Sequence, residues 1–298
     1  MLALGIVAAV GASLLYNTSI ALQALEVREV PAEHSLRLSL IGRLVRNRRW
    51  LGATALGLAG WPLEIVALLL APLTVVQPCL ASGLILLLWL GVTRLDEAPG
   101  ARELVAVAAI IAGVAGVAWA APERTTDHAG AAGIAAALVL VAIPVLAPFA
   151  LRFRVSPRSG GVKVGSAGMG VLMTVAAGCG YAWTAIASKL LTDELDGGAL
   201  VLAVIWLASA AASEGLALLN EMSALQQRPA TRVAPTMFAV QIVVPVLLAP
   251  LIFNEKWGDT PLGGAALLAA IAVALAGTVL LAGSKAVGAV IERVNLDN

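Results

Sequence analysis

The chain has 298 residues, 60% of them hydrophobic and 12% charged, with a mean hydropathy of +0.94 and a formal net charge of +1. That much apolar surface exceeds what a water-soluble core can bury and points to a polytopic α-helical membrane protein. The near-neutral charge argues against nucleic-acid binding, and apolar runs of about 20 residues without alternation argue against a transmembrane barrel.

Hydropathy predicts nine spans, at 2–24, 51–70, 73–93, 103–121, 130–151, 166–190, 198–222, 232–253 and 262–283. The first begins MLALGIVAAVGASLLY, with no basic leader and no small-residue cleavage site, so it is expected to be retained and not to be a signal peptide. Between the first two spans, SLRLSLIGRLVRNRRW places Leu36, Leu40, Ile41 and Leu44 near one helical face with arginines interspersed. Residues 35–49 are therefore expected to form an amphipathic helix on the inner leaflet, with Trp50 at the interface. Arg43, Arg46, Arg48 and Arg49 are the expected contacts for anionic lipid, with a simple interfacial anchor as the plainer reading. Only Ala71-Pro72 divides the second span from the third. Proline there ends one helix and aligns the start of the next.

Charge placement predicts orientation. The odd-numbered loops and the tail hold Arg28, Arg37, Arg43, Arg46, Arg48 and Arg49, then Arg94 and Arg102, then Arg152, Arg154, Arg158 and Lys163, then Arg228 and Arg232, and finally Lys285 and Arg293. The other side holds Arg124, Lys256 and Lys189, together with the acidic Asp193, Glu194 and Asp196. Sixteen basic residues against three place the N-terminus outside and the C-terminus in the cytoplasm. An Ala-, Gly-, Val- and Leu-rich composition suggests the cytoplasmic (inner) membrane of a bacterium.

An internal echo organises the chain. GWPLEIVALLLAPLTVVQP at 60–78 and ALLNEMSALQQRPATRVAP at 217–235 coincide at a constant offset of 157. Glu64 falls on Glu221, Pro72 on Pro229, Thr74 on Thr231 and Pro78 on Pro235. The two segments sit on spans that run in opposite directions, so the expected fold is an all-α polytopic membrane helical bundle of nine transmembrane helices. It would hold two inverted four-helix repeats plus a linker helix, N-out and C-in: residues 1–122, linker 123–160, and 161–298. SLLYNTSIALQ in the first span loosely echoes GYAWTAIASKL in the sixth. Inverted repeats place a substrate site near the midplane between the halves.

Carboxylates inside the bilayer are the sharpest chemical signal, since insertion of one costs at least ~2.5 kcal/mol. Glu64, Glu214 and Glu221 are the candidates, the last two sharing a face seven residues apart. Each has a bland reading as a protonated side chain hydrogen-bonded between helices. Asn17, Gln77, Thr184 and Gln241 offer amide or hydroxyl oxygens to an ion or its water shell, or serve as helix–helix glue. Glu64, Asn17 and Gln77 form the candidate metal set. Cys79 and Cys179 lie in apolar runs and read as packing residues. His34 and His128 fall in loops, and no HExxH, CxxC, P-loop or triad pattern occurs, so neither enzymatic activity nor a cofactor is expected.

With these residues in view, the chain resembles the drug/metabolite transporter superfamily, and within it the NIPA-like magnesium transporters. The resemblance rests on Ala71 to Pro78, Glu97, Gly113, Ala121-Pro122-Glu123 and the segment IFNEKWGDTP with Glu255, Trp257, Asp259 and Pro261. It covers nearly the whole chain through short motifs. Trp61 stands where those relatives would carry an acid, and Glu64, on the same face one turn on, where they would carry Asn. The resemblance implies a secondary transporter moving a divalent cation, Mg²⁺, as substrate through a midplane cavity. A proton-coupled exporter of a small metabolite is the rival within transport, and a non-transporting lipid-binding scaffold the rival outside it. The expected partners are the lipid bilayer, a small solute or cation, and, through small-residue faces, a second copy in a homodimer.

Overall fold

The structure, a computed structural model, describes residues 2–70, 73–95, 99–120, 130–154, 166–253, 258 and 260–282. Among them the chain is all-helical: α1 (Leu2–Arg28), α2 (Leu38–Leu44), α3 (Arg48–Leu70), α4 (Leu73–Arg94), α5 (Ala101–Ala120), α6 (Ala131–Arg154), α7 (Ser166–Asp196), α8 (Leu200–Leu225), α9 (Ala230–Phe253) and α10 (Ala265–Ala282). Short 3-10 turns at Ala32–His34 and Pro261–Gly264 precede α2 and α10. Nine of these helices fall where hydropathy places spans. Seven are long and apolar enough to cross a membrane over their described residues, so the protein is a helical membrane bundle. The other two long helices are α3, which carries Arg48, Arg49 and Glu64, and α4, whose shorter apolar stretch is Ser82–Arg94. The Ala71-Pro72 break lies outside the described residues, as do the motif residues Glu97, Ala121-Pro122-Glu123, Glu255, Trp257 and Asp259.

Partner choice among the helices has a pattern. α1 packs chiefly on α3 and then on α4, while α7 packs chiefly on α8 and then on α9. α5 and α10 pack on each other, and α6 lies against α7. The α5–α10 seam is built from glycines that let the backbones approach. A Cβ on Gly113 would stand 2.5 Å from the Ala274 backbone nitrogen, and one on Gly277 would stand 2.7 Å from the Ala106 carbonyl oxygen. Backbone cannot yield as a side chain would, so Gly113→Val is expected to overpack the seam and cost about 1–3 kcal/mol. A lowered unfolding temperature in detergent would register it.

The connection 29–47 departs from expectation in a physically clear way. Leu36, Leu40 and Leu44 form the apolar face, but they are buried in the main core together with Met222, Ala224, Leu225 and Ala230. The segment lies as a strap against the end of α8 and the turn that leads into α9, with that face turned to protein. The Leu36 N–H donates to Ser223 Oγ at 2.8 Å, Gln226 Nε2 to the Val30 carbonyl at 3.0 Å, and Gln227 Nε2 to Ser35 Oγ at 3.3 Å. The Arg152 guanidinium donates to the Ser35 carbonyl and, at 3.1 Å, to that of Glu33. Leu36 adopts φ 55°, a left-handed conformation that costs a non-glycine residue about 1–2 kcal/mol. Its buried side chain and paired N–H offset that strain. Trp50 is likewise turned to protein: it is 3% exposed, and its Nε1 donates to Met222 Sδ at 3.4 Å.

This end of the bundle also holds a buried ion pair. Arg232, in the first turn of α9, donates to Glu103 Oε1 at 2.9 Å, the two residues being 7% and 3% exposed. The other Glu103 oxygen accepts the Gly100 N–H at 3.0 Å, satisfying an orphan donor at the start of α5. Arg28, Arg94, Arg152 and Arg228 lie at the same end, because the helices run up and down and these residues sit at or beside their termini.

Candidate functional site

Antiparallel pairing of α1 with α3 aligns a polar seam. Gln23 Nε2 donates to Thr54 Oγ1 at 3.0 Å, Ser19 Oγ to the Ala53 carbonyl at 2.7 Å, and the Tyr16 hydroxyl to Glu64 Oε2 at 2.7 Å. Gly60 makes the last contact possible, since a Cβ there would stand 2.9 Å from Tyr16 Cε1. Glu64 is half-buried, whereas Trp61, on the adjoining turn, is largely exposed.

The α7–α8 pair repeats the theme. Trp183 Nε1 donates to Ser209 Oγ at 2.9 Å, Ser213 Oγ to the Gly180 carbonyl at 2.7 Å, and the Tyr181 hydroxyl to Glu221 Oε2 at 2.5 Å. Glu221 is 4% exposed. The sequence contains two tyrosines, and each donates to one of the two glutamates that the internal echo superposes.

Glu214 lies seven residues from Glu221 on the same helix, exposed, with the Thr184 hydroxyl in hydrogen-bonding contact with it. Thr184 Oγ1 also donates to the Gly180 carbonyl at 3.2 Å. Thr184 and Glu214 are thus brought together beside the Tyr181–Glu221 pair. Glu64 is not part of that group. Trp50 touches Met222, the neighbour of Glu221, and Glu64 lies fourteen residues further along α3, about 21 Å of helical rise away. The two carboxylates therefore occupy different depths.

Two members of the candidate metal set, Glu64 and Asn17, have different hydrogen-bond partners. Asn17 is fully buried, but it turns towards α4, where a Cβ on Gly83 would stand 2.4 Å from its Nδ2. Asn17 Nδ2 donates to the Ser13 carbonyl at 2.9 Å, and Oδ1 has no hydrogen-bond partner among the described residues. Ser13 Oγ donates to the Leu80 carbonyl on α4. The Gln77 side chain lies outside the described residues. Gln241 is half-buried on α9. Among the described residues no group of three or more His, Cys, Asp or Glu side chains gathers in metal-binding reach.

The tyrosines were not among the sequence candidates, because an acid's neighbour on another helix cannot be read from local pattern. Their scarcity is the signal that could have found them, since both fall mid-span in the first helix of each echoing half. Compared with protein-family models, curated proteins and solved structures, the chain matches none.

Proposed function

We propose that the protein is a secondary transporter of the drug/metabolite type, with one charge-carrying carboxylate in each half, Glu64 and Glu221. The observation that carries this reading is the pair of tyrosine–glutamate hydrogen bonds on corresponding helices, α1 with α3 and α7 with α8. A bundle held together only by packing has no need of an acid in each of these helix pairs, and acids within the bilayer are expensive and mark ion or proton pathways. The recurring partner choice of the helices supports an inverted-repeat architecture, and the motif resemblance points the same way. On this reading the tyrosine hydroxyl orients the carboxylate and stabilises its charge until cargo or a coupling ion takes its place. The protein acts as transporter and not as an enzyme.

Mg²⁺ is the leading cargo. It dehydrates reluctantly and is held through its waters by one or two carboxylates, a task for which Glu64 suffices without a dedicated cage. The second reading, proton-coupled export of a small metabolite, is favoured by the separate surroundings of Glu64 and Asn17, which leave each glutamate paired with a hydroxyl donor and free to exchange a proton. Proteoliposomes loaded with a Mg²⁺ indicator, run with and without an imposed pH gradient, separate the two. Mg²⁺ entry independent of the gradient is the expected result. Proton movement driven by an added solute, without Mg²⁺ entry, selects the exporter. Neither flux, with protein shown to be folded, overturns the transport reading and leaves the lipid-binding scaffold.

A further inference from the structure

The strap 29–47 has one face bolted to protein and another facing away. We propose that this outward face is a docking surface for anionic lipid headgroups of the adjacent leaflet. Arg37, Arg43 and Arg46 are exposed on it, Arg48 and Arg49 are exposed where α3 begins directly after it, and Leu38 is 81% exposed. From Ser35 to Leu63 the chain contains no acidic residue, so every charge on the C-terminal part of the strap is positive, whereas Glu29 and Glu33 sit at its start. It lies where the membrane surface must be, between the end of α1 at Arg28 and the start of α3 at Arg48. Exposed guanidinium groups close in sequence to an exposed leucine suit a phosphate-bearing headgroup and its acyl chain.

The inward face gives this docking a consequence. Covalently the strap belongs to the half containing α1 and α3, yet its hydrogen bonds run to Ser223, Gln226 and Gln227 of the other half. Headgroups drawn to the arginines press it onto the end of α8 and the turn that leads into α9, and so hold the two halves together at this end. Strap and transport site are separate features, and the inference stands whatever the cargo is.

Thermal unfolding in a neutral detergent tests it, with dioctanoyl phosphatidylglycerol as probe and dioctanoyl phosphatidylcholine as the neutral control. The wild type is expected to gain several degrees with the anionic lipid and little with the neutral one. The triple variant R43Q/R46Q/R49Q, altered only at exposed side chains, is expected to need about tenfold or more lipid for the same gain. R94Q/R102Q, changed at the same end but off the strap, is expected to respond as wild type does. An equal response of the triple variant and the wild type, or of the two lipids, overturns the proposal. Inorganic phosphate that matches the lipid at equal concentration overturns the assignment to a headgroup.

Discussion

Glu103→Ala is expected to destabilise the bundle by about 3–5 kcal/mol, because it leaves the Arg232 guanidinium charged and largely cut off from water. The same substitution removes the acceptor for the Gly100 N–H and so frays the start of α5. The reverse change, Arg232→Ala, is expected to destabilise as well, since it removes the buried positive charge that faces Glu103 Oε1. Replacing both partners at once, as E103L/R232M, removes two desolvation penalties and is expected to recover most of the loss. Denaturant unfolding of the four proteins in one detergent gives the coupling directly. Losses that simply add in the double variant would mean that the two side chains do not act as a pair.

Glu64→Gln and Glu221→Gln are each expected to reduce transport by about tenfold or more, since each removes an ionisable group that lipid would otherwise disfavour. Glutamine keeps the shape and can still accept the tyrosine hydroxyl proton, so folding is expected to survive. Tyr16→Phe and Tyr181→Phe keep the carboxylates and delete only the donors, and smaller losses are expected from them. Initial rates in proteoliposomes, normalised to correctly folded protein, are the measurement. If both Gln variants move cargo at the wild-type rate, the carboxylates are structural hydrogen-bond acceptors and their assigned role is wrong.

The long helices were legible because the bilayer imposes a one-dimensional rule that the sequence obeys residue by residue. All nine predicted spans coincide with long helices, with ends a few residues apart. The strap was half legible. Its leucine periodicity is real, but periodicity cannot say whether the apolar face meets lipid or protein, and here Leu40 and Leu44 are buried in the protein core. Trp50 was half legible for the same reason: a tryptophan beside arginines reads as an interfacial anchor, and here its ring nitrogen meets Met222. Arg232 enters the sequence reading only as a loop charge, and its burial against Glu103 depends on how α5 and α9 converge. The acids of the site could be found from their cost in lipid. Which helix each polar side chain of α1 addresses was not legible: Tyr16 and Asn17, adjacent and about 100° apart, turn towards α3 and α4 respectively.

The scarcity of phenol side chains gives this molecule a built-in reporter. A sample grown with 3-fluorotyrosine carries fluorine at positions 16 and 181 and nowhere else. Its ¹⁹F spectrum should therefore contain one signal from each half, each beside a different carboxylate. Adding cargo, or shifting the proton concentration on one side of the bilayer, should move the two lines separately if the halves load in turn and together if they load at once. Order of loading is thus open to direct observation without attaching any foreign label.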